Sequence, residues 1–295
     1  MQPGPEPVRP DLHVHTDASD GQFSPEQVIC LAAEKGVNLL AITDHDTLDG
    51  LRKVWQKAAQ ADMDILPGVE ISAGGDNEVH ILGYGIHEGM KRLHALLQDM
   101  RREREERVRR MVEKLCKLGM PIDLHEIASP QADSLGRAHI GRALVKKGLV
   151  DSLYDAFEKY LSPGRPGFEP RPKRKVSQVV RLLREEGAVP VIAHPGLLKM
   201  DPGDVRPLLA EWKDQGLMGL EAYHPAHLPA MVKAWDSLAR DLDLLVTGGS
   251  DFHGQDGRHM DIGAMLPHWP GAAEDALKLL EVFGRSHTLY RRPSP

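Results

Sequence analysis

The sequence predicts an α/β protein whose strands form a mainly parallel sheet or barrel. Short apolar runs that end in polar residues alternate with helical patterns along most of the 295 residues. These runs are too uniformly apolar for a sheet that has one face in water. Residues 88–165 contain only helical patterns, which predicts a helical insert in the α/β scaffold. One barrel with such an insert fits the length of the chain.

The predicted strands carry the polar side chains best suited to chemistry. In DLHVHTDASDG, residues 11–21, His13 and His15 face the same side, because residues two apart in a strand point the same way. Asp251 and His253 repeat this spacing near the other end of the chain. The other predicted strands, each containing or leading into a histidine or carboxylate, cover residues 39–46, 65–72, 78–85, 188–195, 218–225 and 244–254.

The predicted helices follow from capping residues and apolar periodicity. Ser24 is a typical N-cap, Pro25 suits the first helical position, and Gly36 is a stop signal. These residues predict a helix from residue 25 to residue 35. Similar patterns predict helices at residues 48–61, 176–186, 205–215 and 228–240.

The predicted insert opens with a long amphipathic helix over about residues 93–119. Acidic and basic residues four apart, such as Glu103 and Arg107, predict a charged face in contact with solvent. The domain division predicted from these patterns is a flexible N-terminal lead at residues 1–9, a barrel at residues 10–87 and 166–290, and a helical insert on the substrate side at residues 88–165.

Composition and charge exclude several classes of protein. The net charge is −6 and the pI is about 6.2, which argues against a general nucleic-acid coat protein. No apolar run approaches the roughly 20 residues that span a bilayer. The two cysteines form no CxxC pair, so reduced thiols are expected. We therefore expect a cytoplasmic protein with no membrane association, and we infer no obligate protein partner.

Polar residues at the predicted strand ends form a candidate metal site. An isolated HxH pair is usually incidental, but the carboxyl ends of barrel strands converge on one rim, where several such groups would meet. Burying them together without a partner would cost free energy that metal ions relieve. Imidazole and carboxylate ligands without cysteine suit zinc, manganese or iron. The nine candidate ligands are His13, His15, Asp20, His45, Glu70, His80, His194, Asp251 and His253.

The segments that carry these ligands resemble, in order, the motifs of the polymerase-and-histidinol-phosphatase (PHP) family. They read DLHVHTDASDG, ITDHDT, GVEIS, HILGYG, IAHP and GSDFHG, and they extend from about residue 10 to residue 255. The resemblance implies a distorted (β/α)7 barrel, similar to a TIM barrel, that holds two or three divalent metal ions.

The resemblance also implies how the ligands are shared. His13, His15, Glu70 and Asp251 would surround one metal, and Glu70 would bridge to a second metal that His80 and His194 hold. The third metal would lie among Asp20, His45 and His253, with Asp20 at a position where some members have histidine. The implied catalytic group is a metal-bridging water held through Glu70 and Asp251.

A cluster of metals suits hydrolysis of a phosphate ester, because metals activate water and neutralise phosphate charge. Cationic side chains would then bind the other phosphate oxygens. The insert and the EAYHP segment supply the candidates, which are Arg137, His139, Arg142, Lys159, Arg165 and His224. Arg258 is a further candidate in the loop after SDFHG.

These segments resemble the PHP subgroup of 3′,5′-nucleotide bisphosphate phosphatases, some of which also trim short RNA from the 5′ end. The implied reaction removes the 3′-phosphate of a nucleoside 3′,5′-bisphosphate and leaves the 5′-monophosphate. The expected partner is a small phosphorylated substrate, a nucleotide or a short single-stranded RNA. The alternatives are a histidinol-phosphate phosphatase, a nuclease acting on single-stranded ends, and a non-catalytic PHP module that binds a metal or a partner.

Overall fold

The described residues form one nearly closed barrel of seven strands, whose order in the sheet follows the chain. The computed structural model describes residues 7–55, 63–74, 78–127, 134–172, 174–198, 200–254 and 260–283. The strands are β1 (Pro10–Val14), β2 (Leu39–Ile42), β3 (Asp64–Gly74), β4 (Glu78–Tyr84), β5 (Val189–Ile192), β6 (Gly219–Tyr223) and β7 (Leu245–Gly248).

The predicted α/β class and barrel are confirmed, but the sheet is mixed rather than parallel throughout. β1–β2, β2–β3, β5–β6 and β6–β7 pair in parallel. β4 is antiparallel to both of its neighbours, β3 and β5. Only residues 75–77 separate β3 from β4. A parallel crossover needs a dozen or more residues. A connection this short therefore requires an antiparallel pair.

The barrel closes between its first strand and the segment that follows its last. The backbone N–H of His15 donates to the carbonyl of Phe252 at 2.9 Å, and that of Asp251 donates to the carbonyl of His13, also at 2.9 Å. A close approach at this seam requires Gly249, where a Cβ would lie 2.4 Å from the Cβ of His13. Closure therefore brings candidate ligands near the two ends of the chain, His13 and Asp251, into contact.

Helices surround the barrel and form the insert. The first begins after its N-cap Ser24, with a reciprocal capping box to Gln27, and ends before Gly36, as predicted. The second begins one residue later than predicted, and positions 56–61 of that prediction lie outside the described residues. The helices are α1 (Pro25–Glu34), α2 (Asp49–Trp55), α3 (Lys91–Lys117), α4 (Leu124–Ile127), α5 (Arg137–Lys146), α6 (Leu153–Ala156), α7 (Val176–Glu185), α8 (Pro202–Asp214), α9 (Pro229–Asp241) and α10 (Ala272–Val282).

Two clusters of buried apolar side chains form the core. The larger fills the barrel and includes the beginning of α3, up to Met100. The smaller lies within the insert and includes α3 from Val108 onward. The change of packing partner thus falls inside one continuous helix, and the predicted domain boundary at residue 88 remains a prediction. Across the described residues, no helix is both long and apolar enough to cross a membrane.

The charged face of α3 is not simply solvated, which corrects the sequence-based expectation. Arg104 and Arg107 are each only 6% exposed. Arg107 does not pair with Glu103, which instead accepts from Arg174 at 2.6 Å. Arg107 donates to the carbonyl of Glu169 at 2.7 Å. The exposed Glu106–Arg110 pair does form, with the Arg110 Nε at 3.1 Å from the carboxylate.

Candidate metal centre

The nine candidate ligands all lie at one rim of the barrel. His13 and His15 lie at the end of β1, and His45, His194 and Asp251 follow the ends of β2, β5 and β7. Glu70 lies inside β3, which extends past β2 and bridges to His45. His80 is near the start of β4, not its end. Because β4 is antiparallel, its start lies at the rim formed by the ends of its neighbours.

The first group of ligand atoms has the spacing of a coordination polyhedron. His13 Nε2 lies 3.1 Å from His15 Nε2, and each of these nitrogens lies 3.2 Å from Asp251 Oδ1. Glu70 Oε2 is 3.4 Å from His13 Nε2 and 3.2 Å from His15 Nε2. Ligands about 2.0–2.2 Å from one ion lie about 2.8–3.1 Å apart when adjacent in octahedral geometry and about 3.3–3.6 Å apart in tetrahedral geometry. These four side chains therefore fit a divalent cation.

Glu70 faces a second group through its other oxygen. Its Oε1 lies 2.8 Å from His80 Nδ1 and 3.0 Å from His194 Nε2, and those two nitrogens are 3.3 Å apart. One carboxylate thus presents one oxygen to each group. This is the arrangement expected of a side chain that bridges two ions.

The third group contains His15, Asp20, His45 and His253, whose ligand atoms lie within 4.8 Å of one another. Asp20 Oδ1 is 3.2 Å from His253 Nε2 and 3.8 Å from His15 Nδ1. The only carboxylate among the four residues of this third group is that of Asp20. The structure thus brings together all nine residues that the sequence singled out as ligands.

Neighbouring charges set the protonation of this cluster. Burial alone would lower the pKa of His15, but Asp251 and Glu70 outweigh burial and raise it to about 10. His80, buried beside Glu70 and Glu78, has its pKa raised to about 9 for the same reason. Although burial favours the protonated carboxyl, the surrounding imidazoles hold the pKa of Glu70 well below its usual value. A metal entering the site must therefore displace protons from imidazole.

The backbone around the ligands adopts conformations that L-residues rarely occupy. His194 has φ of 26° and Asp251 has φ of 50°, and Asp46, next to ligand His45, has φ of 54°. Non-glycine residues at positive φ cost free energy and concentrate at functional sites. No sequence pattern identifies these positions.

Glu221, which the sequence analysis did not use, contacts candidate ligands of two groups. Its Oε1 is 3.0 Å from Nδ1 of His13, and its Oε2 accepts from the backbone N–H of His194 at 2.7 Å. The residue is fully buried. A carboxylate behind a ligating histidine fixes the ring and its tautomer. A charged residue inside the apolar run MGLEAY was the signal that could have found it.

Asp44 supports the loop that follows β1. Its carboxylate accepts from the backbone N–H and hydroxyl of Thr16 at 2.8 and 2.7 Å, and from the Ser19 hydroxyl at 2.6 Å. These bonds fix the loop between His15 and Asp20. Asp44 therefore positions two candidate ligands through the backbone.

A cavity of about 440 Å³ opens above the candidate metal ligands. Two of the predicted substrate residues, Arg142 and His224, line it. Arg142 donates to the carbonyl of Asp20 at 2.6 Å, and His224 Nε2 lies 3.3 Å from Asp251 Oδ2. The remaining lining residues are Asp20, Ala138, Leu153, Phe157, Leu197, Pro225, Ala226, Ser250, Asp251, His253 and Met260.

The other predicted phosphate-binding residues do not line this cavity. Arg137 is paired with Glu78 at 3.0 Å, and its guanidinium lies 5.5 Å over the ring of Phe157. Lys159 and Arg165 are half-exposed in ion pairs on the insert surface. Arg258 lies outside the described residues.

His139 is buried and accepts from the backbone N–H of Gly136 through Nδ1 at 3.2 Å. Burial, helped by Arg142 and Arg104, lowers its pKa to about 4. His139 is therefore neutral near pH 7 and supplies no positive charge for a phosphate.

A seven-stranded barrel with clustered imidazoles and carboxylates at one rim is an arrangement suited to metal-dependent hydrolysis. The family model described as the PHP domain matches residues 11–163. The chain belongs to the PHP family and is a hydrolase that acts on phosphoester bonds.

Similar proteins carry several activities. The chain is 32% identical over 267 residues to a 5′-3′ exoribonuclease of Haemophilus influenzae, covering 88% of this chain and 97% of that one. It is 34% identical over 258 residues to a 3′,5′-nucleoside bisphosphate phosphatase of Chromobacterium violaceum, covering 86% and 90%. It is also 34% identical over 269 residues to a phosphoribosyl 1,2-cyclic phosphate 1,2-diphosphodiesterase of Eggerthella lenta, covering 87% and 98%.

Among solved structures, one from Bifidobacterium adolescentis, described as a metal-dependent phosphoesterase, superposes with a TM-score of 0.83. It is 29% identical, and the match covers 94% of this chain and 98% of that one. The likeness confirms the fold.

Proposed function

We propose that this chain removes the 3′-phosphate from nucleoside 3′,5′-bisphosphates and leaves the 5′-monophosphate. The observation that carries the proposal is a single cavity lined by candidate metal ligands, among them Asp20 and Asp251, and also by Arg142. Such a cavity offers separate sites for two phosphates. The relative from Chromobacterium violaceum, named for this reaction, supports the same substrate.

The proposed cofactor is two or three divalent cations, Mn²⁺, Zn²⁺ or Fe²⁺. When bound, they would lower the pKa of water toward neutrality and neutralise charge on the phosphate. The proposed ligands are the nine residues of the three groups, with Glu70 shared between the first and second groups through its two oxygens. The set contains nitrogen and carboxylate donors only, which suits these metals.

The proposed substrate contacts come from the chain's own cations and imidazoles. Arg142 would bind the phosphate that is not cleaved, since this residue lines the same cavity as the candidate metal ligands. His224 accepts from the backbone N–H of Ala226 through Nδ1, so its proton lies on Nε2. That Nε2 lies beside Asp251 and would donate to a phosphate oxygen held there.

One substrate panel tests the proposal. Protein loaded with each metal is assayed on adenosine 3′,5′-bisphosphate, 3′-AMP, 5′-AMP, histidinol phosphate and a ribose 1,2-cyclic phosphate. We expect kcat/KM for the bisphosphate to exceed that for either monophosphate by about 10-fold or more, the effect of one charge-assisted phosphate contact. Equal kcat/KM for the bisphosphate and the monophosphates would contradict the proposed function. A preference for histidinol phosphate would favour a histidinol-phosphate phosphatase.

A matched pair of variants tests the second phosphate contact. Arg142→Gln should raise KM for the bisphosphate about 10-fold and leave 3′-AMP almost unchanged, because only the bisphosphate has the second phosphate. Arg206→Gln, at an exposed arginine of α8, should change neither substrate. An equal loss on both substrates would contradict the assigned role of Arg142.

Trimming of short RNA from the 5′ end is a second candidate function. A second cavity of about 380 Å³ shares Arg142 with the first and is also lined by Lys146 and Gln22. Asp17 and Glu126 also line this cavity, so only its Arg142 and Lys146 side would hold the phosphates of the next nucleotides of a short strand. A 3′-labelled pentanucleotide should shorten by one nucleotide at a time from its 5′ end, whereas an uncleaved pentanucleotide would exclude this function.

A further inference from the structure

The cavity above the candidate metal centre has a polar part and an apolar part. Its polar side chains, such as Asp20, Asp251 and Arg142, belong to the proposed phosphate sites. The rest of its lining is apolar and comes from both the insert and the barrel loops. These apolar residues, called here the apolar subsite, are Ala138, Leu153, Phe157, Leu197, Pro225, Ala226 and Met260.

The apolar subsite includes large side chains that the described part of the chain does not cover. Leu197 is 52% exposed and Met260 is 49% exposed. Exposed apolar surface grouped beside a cavity is typical of a binding site. Phe157 begins a π-helical turn, a rare conformation that is frequent at functional sites. The same cavity thus joins apolar surface directly to the candidate ligands.

We infer that the apolar subsite binds the base of the nucleotide substrate, an inference that rests on the proposed function. A base has flat apolar faces that pack on Phe157, Leu197 and Met260. A sugar phosphate would instead place hydroxyl groups against these side chains, which costs free energy when such groups lose water without gaining partners. The volume of about 440 Å³ suits a small ligand of this kind.

The chemistry of the subsite also bears on base identity. Its side chains offer no hydrogen-bond donor, and their only acceptor is the weak thioether sulfur of Met260. Stacking alone tolerates every base, since each has a π-face. The subsite should therefore favour nucleotides over base-free phosphates without selecting one base.

The test compares the 3′,5′-bisphosphates of adenosine, cytidine, guanosine and uridine with base-free 1-deoxyribose 3,5-bisphosphate. The base-free compound keeps both phosphates and the sugar. We expect the four nucleotides to differ by less than about 5-fold in kcat/KM, and the base-free compound to be about 10-fold or more poorer, chiefly through KM. A base-free compound as good as the nucleotides would overturn the inference.

Two variant pairs locate the effect. Leu197→Ala and Phe157→Ala should lower kcat/KM about 10-fold for nucleotides but not for the base-free compound. Leu228→Ala and Tyr154→Ala, at residues 69% and 60% exposed that do not line the cavity, are the controls and should change neither substrate. Arg137 lies over Phe157. If Phe157→Ala lowered kcat/KM equally for nucleotides and for the base-free compound, Phe157 would act through Arg137, and its assigned role in binding the base would be overturned.

Failure of the proposed function gives a different result. A protein that hydrolyses p-nitrophenyl phosphate but no nucleoside bisphosphate would overturn both the proposed function and the subsite. Cleavage of bisphosphates without any effect of the base would overturn the subsite alone.

Discussion

Glu221 and His13, both fully buried, are joined by a hydrogen bond of 3.0 Å between Oε1 and Nδ1. The second oxygen of Glu221 accepts from the backbone N–H of His194 at 2.7 Å. A proton on Nδ1 of His13 leaves Nε2 free to face Glu70 and Asp251. One carboxylate therefore orients a ligand of the first group and fixes the backbone of a ligand in the second.

Replacement of Glu221 should weaken metal binding without changing any ligand. Glu221→Ala removes the hydrogen bond to His13, and the loss of such a partner typically costs about 10–100-fold in metal affinity. Competition with a chromophoric chelator measures this affinity. Glu211→Ala, at an exposed position of α8, is the control and should bind like the original chain. Unchanged affinity in Glu221→Ala would show that Glu221 does not position the ligands.

Asp20 should decide whether the third group holds an ion. Although burial favours its protonated form, His253 and His45 hold the pKa of Asp20 well below its usual value. Asp20→Asn removes the only carboxylate of that group, so bound metal should fall by one ion per chain when measured by plasma mass spectrometry. Asp20→His supplies another ligand and should restore it. If Asp20→Asn binds as many ions as the original chain, the third group is not a site.

Arg104 should stabilise the fold by linking α3 to the rim. Its Nε donates to Asp46 Oδ2 at 2.6 Å, and both side chains are buried. Arg104→Met leaves the buried Asp46 carboxylate with the backbone N–H of Ser72 at 2.9 Å and Arg171 at 3.7 Å, and should lower the free energy of unfolding by about 3 kcal/mol. Arg109→Met, on the exposed face of the same helix, should cost less than about 0.5 kcal/mol. Urea denaturation compares them, and equal stabilities would exclude this role for the ion pair.

His139 should make the folded chain sensitive to mild acid. Its pKa is about 4 when folded, against 6.5 for an ordinary histidine. As the pH falls from 6.5 to 4, the unfolded chain takes up a proton here that the folded chain does not, so stability is lost over that range.

The matched variants for this effect are His139→Gln and His125→Gln. Glutamine at residue 139 can still accept from the N–H of Gly136 but does not titrate. Between pH 8 and pH 5, His139→Gln should lose about 2 kcal/mol less stability than the original chain. His125→Gln, at an exposed position, should follow the original chain. Parallel pH profiles for all three proteins would contradict the account.

The barrel and the gathering of the nine residues could be predicted because local patterns encode both. Strand alternation places His13 and His15 on one side, and the ends of parallel strands share one rim. The antiparallel direction of β4 could also be predicted from the sequence, since the five residues between the predicted strands at 65–72 and 78–85 are too few for a crossover. We did not predict this antiparallel direction, because the apolar runs of the predicted strands favoured a parallel sheet.

Other features depend on contacts that no local pattern encodes. Arg104 belongs to a helix whose charges suggest a solvated face, and its partner Asp46 lies 58 residues earlier in the chain. The periodicity of a helix indicates which residues share a face. It does not indicate which charged side chain is buried against a charged residue distant in the sequence. The positive φ angles at His194 and Asp251 likewise result from the tertiary structure.

The central claim is that these nine side chains hold divalent cations at one rim of the barrel. Anomalous diffraction from crystals grown with Mn²⁺ or Zn²⁺ tests it most directly. We predict anomalous peaks about 2.0–2.2 Å from His13 Nε2, from both oxygens of Glu70 and from Asp251 Oδ1. Metal-loaded crystals with no peak among these atoms, or with peaks only elsewhere, would contradict the claim.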